Sequence, residues 1–327
     1  MKKWLCVALV LLLAMTLLWG CGGNTEESDG GEKVYCVVSE REYDADGVNI
    51  RLTEYTYDES GNVLSESTDW GRSVEYDYFY DTYLFNYIPI DGTIDELWQY
   101  EYAENKYLIH SQYNHLSPQH GEMEDGTGYW YRCDEAGRIT ARGHEGNTEP
   151  FLTFTYDNQG RLIRKSSYDE VYCYTYLRAN YLYDTDGRLS CMESENYNPD
   201  NQEWTLGYRI NFKYDRIGNL VEVTQYYGDG TESCRNEMEY NMGRLVNTTC
   251  YRYGEKEEIR EYAYDKNGNI AEVRVLDAYD GSLVKTLRYE YKELELSMEA
   301  RLMYVKRNTW MWYMELAGFY PQLITIF

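Results

Sequence analysis

Proline is scarce in this chain, 5 in 327 residues, and histidine is scarcer still at 4. So little proline excludes collagen-like or proline-rich extended architectures, and so little histidine leaves poor material for a histidine-based metal centre. Positive charge is also short. Lys plus Arg total 31 against 56 for Asp plus Glu, a formal net charge of −25, which excludes nucleic acid as a partner because that ligand demands a basic stripe. The serines lack a G-x-S-x-G elbow, and no glycine-rich loop leads from strand to helix to cradle phosphate. Acidic residues are so numerous that no one pair stands out as a glycosidase dyad. With no catalytic motif, the chain reads as a non-enzyme with no cofactor. What it has is aromatic side chains, Tyr 38, Trp 8 and Phe 7, which make up 16% of the chain and exclude disorder.

The amino terminus carries one long apolar run. Lys2 and Lys3 precede Trp4 to Trp19, broken only by Thr16, and the run stops at Gly20-Cys21. That is a signal-peptide pattern, somewhat short for a membrane span. Leu18-Trp19-Gly20-Cys21 resembles the bacterial lipobox, which implies residues 1–20 as a lipoprotein signal peptide and Cys21 as the lipidated first residue of the mature chain. Trp19 departs from that pattern, and an uncleaved anchor is the alternative. Residues 21–33 then form the lipidated cysteine and a flexible acidic tether. The chain is expected on the extracytoplasmic face of a bacterial cell membrane, held by lipid, since anionic headgroups repel so acidic a protein.

Self-similarity carries the strongest signal. Tyr57-Asp58-Glu59-Ser60-Gly61-Asn62-Val63 recurs from Tyr156, Tyr183, Tyr214 and Tyr264, with degenerate copies at Cys133-Asp134 and Tyr240-Asn241. The turn positions are Asp58 and Gly61, Asp134 and Gly137, Asp157 and Gly160, Asp184 and Gly187, Asp215 and Gly218, Gly243, and Asp265 and Gly268. Upstream residues alternate, as in Ile210, Phe212 and Tyr214 against Arg209, Asn211 and Lys213, the period of a half-buried strand. Each copy is a predicted β-hairpin. Asp opens the turn by accepting backbone N–H groups, and Gly closes it where positive φ is needed.

This pattern resembles the YD, or RHS-type, repeat of bacterial wall-associated and RHS proteins and of the teneurins. The resemblance covers roughly residues 43 to 291 and implies an all-β array of antiparallel hairpins in a coiled or spiral sheet. In large RHS toxins such a ribbon closes into a shell around a toxin released by self-cleavage. Here the units are too few for that, and Asn198-Pro199-Asp200 does not continue into the cleavage motif. Choline- and glucan-binding wall repeats fit less well, since Trp70, Trp98, Trp130 and Trp204 keep no common offset from the glycines.

The organisation expected is therefore a repeat array over 34–291 and an atypical C-terminal cap over 292–327 covering the last open sheet edge. The function expected is a membrane-anchored binding or structural surface module for wall glycan or a partner protein. The alternatives are a wall-remodelling glycan hydrolase or a relative of an RHS toxin shell. His110, His115 and His120 are evenly spaced, but a step of five puts strand neighbours on opposite faces, so they are read as loop residues and no metal site is assigned. Asp44-Ala45-Asp46-Gly47 and Asp184-Thr185-Asp186-Gly187 lack the later ligands of a calcium loop and are turns. Around the shortened turn, the numbers of Cys234 and Cys250 sum to 484, as do those of Tyr240 and Arg244, so the two cysteines are expected opposite one another as a candidate disulfide. A β-bulge in either strand would shift that pairing.

Overall fold

The structure is a computed structural model and describes residues 32–77, 82–87, 92–104, 107–116, 123–169 and 174–296. The signal peptide, Cys21 and nearly all of the tether lie outside the described residues, as does the cap from 297 onward. Among the described residues there is no helix. The strands are β1 (Glu32–Asp44), β2 (Asn49–Tyr57), β3 (Val63–Asp69), β4 (Arg72–Asp77), β5 (Thr82–Tyr87), β6 (Glu96–Ala103) and β7 (Tyr107–Leu116). They continue as β8 (Met123–Cys133), β9 (Ile139–His144), β10 (Leu152–Tyr156), β11 (Leu162–Asp169), β12 (Tyr174–Tyr183), β13 (Leu189–Asn198) and β14 (Glu203–Tyr214). The last are β15 (Leu220–Tyr227), β16 (Glu232–Asn241), β17 (Arg244–Arg252), β18 (Glu255–Tyr264), β19 (Ile270–Asp277) and β20 (Leu283–Leu296).

Strands adjacent in sequence pair antiparallel, except that β3 passes over the separate β4–β5 hairpin to pair with β6. β20 then pairs with β1 along its length, from Glu32↔Leu296 to Asp44↔Lys285. The sheet is thus a closed 18-stranded antiparallel barrel, not the coiled or spiral ribbon expected from the repeat. The edge that a C-terminal cap was expected to cover is hydrogen-bonded to β1 instead.

A feature without a turn signature accounts for the curvature. In each YD hairpin the register shifts just before the motif's first residue, at Thr56/Tyr57, Arg132/Cys133, Thr155/Tyr156, Leu182/Tyr183, Lys213/Tyr214, Glu239/Tyr240 and Ala263/Tyr264. In β10–β11, for example, Thr155 faces Arg164 and Tyr156 faces Leu162, which leaves Ile163 unopposed. A bulge bends its strand and adds right-handed twist. Repeated hairpin after hairpin, it curls the sheet until its edges meet.

The bulge also moves the cysteines. Tyr240 faces Leu245 and Asn241 faces Arg244, and past the shift Cys234 faces Arg252 while Cys250 faces Asn236. The expected direct opposition of Cys234 and Cys250 is therefore two residues out of register: one because Tyr240 pairs with Leu245 rather than Arg244, and one more because of the bulge. Both are free thiols, and the Cys250 thiol donates to Asn236 Oδ1 at 2.5 Å.

Closure gives the sheet an enclosed and an outer face. Met192 faces Ile210 and Phe212 faces Val223, whereas Lys213 faces Glu222 on the opposite side. Ile210, Val223, Leu245 and Val275 are almost completely shielded, and Arg209, Asn211 and Lys213 are exposed. The apolar and aromatic alternation therefore lines the inside. One core cluster runs from Leu108 through Phe154, Tyr181 and Phe212 to Leu245. Burying one such side chain contributes about 1.5–3 kcal/mol.

Candidate functional site

The repeat is a closed set of hydrogen bonds. Asp184 Oδ1 accepts the backbone N–H of Asp186 at 2.9 Å and of Arg188 at 2.9 Å, and its Oδ2 accepts Arg188 Nε at 2.7 Å. Burial raises the Asp184 carboxyl, but the hydrogen bonds from Arg188 outweigh it and hold the pKa below the usual range. Asp134 and Asp157 make the same bonds with Arg138 and Arg161, and Asn62, Asn219 and Asn269 substitute an amide donor toward Asp58, Asp215 and Asp265. Gly61, Gly137, Gly160, Gly187, Gly218, Gly243 and Gly268 have φ between 78° and 98°. In the shortened copy Met242 (φ 50°) joins Gly243, as a two-residue type I′ turn requires.

The motif tyrosine connects one unit to the previous one. Tyr156 donates its hydroxyl to Ile139 O at 2.8 Å, Tyr183 to Leu162 O at 2.7 Å, Tyr214 to Leu189 O at 2.9 Å, Tyr240 to Leu220 O at 3.0 Å and Tyr264 to Leu245 O at 2.7 Å. These rings are half-buried. The motif arginine lies over the next tyrosine, Arg138 on Tyr156, Arg161 on Tyr183 and Arg188 on Tyr214, at 4.4–4.8 Å. The Y, D, G, N/R and L positions thus serve architecture, and a ligand has to be sought elsewhere.

One other group of residues suits binding. On the outer face of β12–β14, Arg178 sits 4.1 Å from the Trp204 ring centroid, Trp204 packs against Tyr197 at 5.3 Å, and Tyr197 against Tyr174 at 5.5 Å. Arg178 Nε donates to Glu195 Oε2 at 2.6 Å, and Asn180 Nδ2 donates to the same oxygen at 2.7 Å. Hydrogen bonds from Arg178, with burial opposing, hold the Glu195 carboxyl below its usual range. The result is a half-exposed row of rings tilted about 50° to one another, with Arg178 over one face of Trp204 and Asn180 and Glu195 beside it. Tyr197 and Trp204 flank one turn and face each other across it, a register that Tyr-Asn-Pro-Asp-Asn-Gln-Glu-Trp does not reveal without the pairing.

The enclosed face holds a second polar region where the barrel closes. Arg51 bonds Glu40 and lies 3.3 Å from Glu42, and Lys285 Nζ reaches Glu42 at 3.1 Å. Nearby Glu66, opposite Trp98, is pushed up to about 7 by burial and by the Glu40 carboxylate. Further round, Trp98, Tyr113, Tyr129, His144 and Phe151 form a continuous ring cluster. His110 faces Trp130 outside and His115 faces Glu96 inside, so these two do not converge; His120 lies outside the described residues. Among the described residues no group of His, Cys, Asp and Glu is placed to hold a metal.

No family model matches the chain, and no curated protein matches it. Solved structures do resemble it in part. A crystal structure of TcdB2-TccC3-TEV, built on a toxin shell of the RHS/YD-repeat type, matches at a TM-score of 0.32 and 13% identity over 80% of this chain, which spans 16% of that one. A porin-like protein from Bacteroides uniformis matches at 0.37 and 11% identity, covering 78% of this chain and 98% of its own. A DUF3836 family protein from Bacteroides vulgatus matches at 0.20 and 15% identity over 31% of this chain and 98% of that one.

Proposed function

We propose that the chain is a lipid-anchored, extracytoplasmic binding module of the bacterial cell envelope, and that its ligand is wall glycan. The observation that carries this reading is the Trp204–Tyr197–Tyr174 platform with Arg178, Asn180 and Glu195 at its border. Flat apolar rings beside fixed donors and acceptors suit a sugar, which presents C–H faces to stack and hydroxyls at its rim. Anchoring through Cys21 would hold the platform near the wall, with the tether separating lipid from barrel. Purified wall fragments should be retained by the wild-type chain and lost with Trp204→Ala. Equal retention by the variant would remove the platform from the reading, and retention of a protein partner alone would replace glycan with protein.

A second reading rests on Glu66. A carboxyl titrating at about 7 suits a general acid, and the wall-hydrolase alternative would place the chemistry there. Release of sugar fragments, abolished by Glu66→Gln, would establish that reading over the binding one.

A further inference from the structure

The hairpins β15–β16, β17–β18 and β19–β20 turn at one end of the barrel, opposite the YD turns. Each carries a tyrosine into solvent: Tyr227, Tyr253 and Tyr279 are evenly spaced in sequence and 42%, 65% and 98% exposed. The Tyr227 and Tyr253 hydroxyls meet at 3.1 Å. The next turn is tied to the same corner, since Ala278 N–H donates to Glu257 O at 3.1 Å. Tyr279 stands there, one hairpin on, with its turn two strand spacings, about 10 Å, from that of Tyr253. Neither core nor turn selects these rings. Tyr253 holds φ at 51°, where Asn or Gly is the better turn residue, and Tyr279 buries almost nothing. Charge at the three turns is largely of one sign. Residues 227–232, 252–257 and 277–283 hold six carboxylates against Arg252 and Lys256, and Arg252 Nε donates to Glu257 Oε2 at 2.8 Å. Asp229, Glu255 and Asp280, one in each turn, are exposed beside the tyrosines.

We infer that Tyr227, Tyr253 and Tyr279, together with Asp229, Glu255 and Asp280, form a docking surface for a basic, Arg- or Lys-bearing segment of a partner protein. An exposed ring face attracts a guanidinium or ammonium, and a carboxylate beside it adds a charge-assisted hydrogen bond. The same carboxylates disfavour other occupants. Anionic headgroups, nucleic acid and a second copy of so acidic a chain are all repelled, and a neutral sugar gains nothing from the charge. A spacing of about 10 Å matches three residues of an extended chain, so cations three residues apart reach successive turns. This surface is separate from the Trp204 platform and stands whether or not that platform binds glycan.

The test titrates the full chain in non-ionic detergent against a fluorescent peptide, Gly-Arg-Gly-Gly-Arg-Gly-Gly-Arg-Gly, followed by anisotropy. Saturable binding that weakens with added salt is expected, and the same peptide with Glu in place of Arg should not bind. Tyr279→Ser should weaken binding about three- to five-fold, the size of an exposed cation–π contact, and Tyr253→Asn combined with Tyr279→Ser at least ten-fold. Both changes leave the net charge unaltered, so they separate this surface from bulk attraction to an acidic protein. Asn tolerates the positive φ of Tyr253, and Tyr279 is almost wholly exposed, so the fold survives both. No saturable binding, equal binding of the Glu peptide, or unchanged affinity in the double variant would overturn the assignment.

Discussion

The long arc from β9 to β19 and the seam where β20 meets β1 hold the same barrel together by different means. In the arc the units repeat one solution, an Asp–Arg or Asp–Asn turn (a two-residue Met242-Gly243 turn in the shortened copy), a tyrosine hydroxyl on the preceding carbonyl and an apolar side chain turned inward. At the seam and in the β2 and β3 strands beside it the enclosed face is ionic: Lys285 of β20 reaches across the seam to Glu42 of β1, Arg51 of β2 pairs with Glu40 and Glu42, and Glu66 of β3 lies close by. The repeat supplies strands that are interchangeable in register and burial. The seam has to recognise one particular partner strand, and buried charges discriminate against a slipped register better than apolar contacts do.

The contrast predicts unequal responses to mutation. Arg51→Met should have the largest effect, destabilising the protein by about 3–4 kcal/mol in urea denaturation at neutral pH, because it strips Glu40 and Glu42 of a shared cation. Gly187→Val should cost about 2 kcal/mol, since φ of 83° is strained for a β-branched residue although little crowds the position. An equal or smaller loss for Arg51→Met than for Gly187→Val would remove the distinction between the ionic region around the seam and the arc.

Glu66→Gln works in the opposite direction. The folded-state pKa of Glu66 is raised to about 7 from 4.5, so the native state binds more protons than the unfolded one between those values, and wild-type stability falls as pH rises through them. Glutamine removes that loss. It should stabilise by about 1–2 kcal/mol above about pH 8, discounted for residual exposure, and by nothing below about pH 4. Thermal melts of both proteins across this range check the sign. The smallest effect belongs to Tyr183→Phe, which leaves the ring and removes only the bond to Leu162 O, for a loss of about 1 kcal/mol by equilibrium denaturation.

Much of the hairpin plan was legible in the sequence because strand alternation and turns have chemical signatures: Ile210, Phe212 and Tyr214 alternate with polar residues, and Asp and Gly mark the turn. Closure was not legible. It depends on bulges such as that at Ile163, where an ordinary residue sits unopposed, and on pairing between β1 and β20, segments about 250 residues apart. The turn register that pairs Tyr240 with Leu245 and the bulge beside it at Glu239/Tyr240 together displaced Cys234 from Cys250. The outer platform was hidden for a related reason, since Arg178, Glu195 and Trp204 come from three strands and meet only through register.

Closure itself is tested most directly by the distance between spin labels on Arg41 of β1 and Arg288 of β20, residues that face each other across the last pair of strands. The closed barrel places their Cα atoms about 5 Å apart, so pulsed or continuous-wave resonance should show strong short-range coupling. Labels separated by several tens of ångströms, as at the two ends of an open spiral, would contradict it.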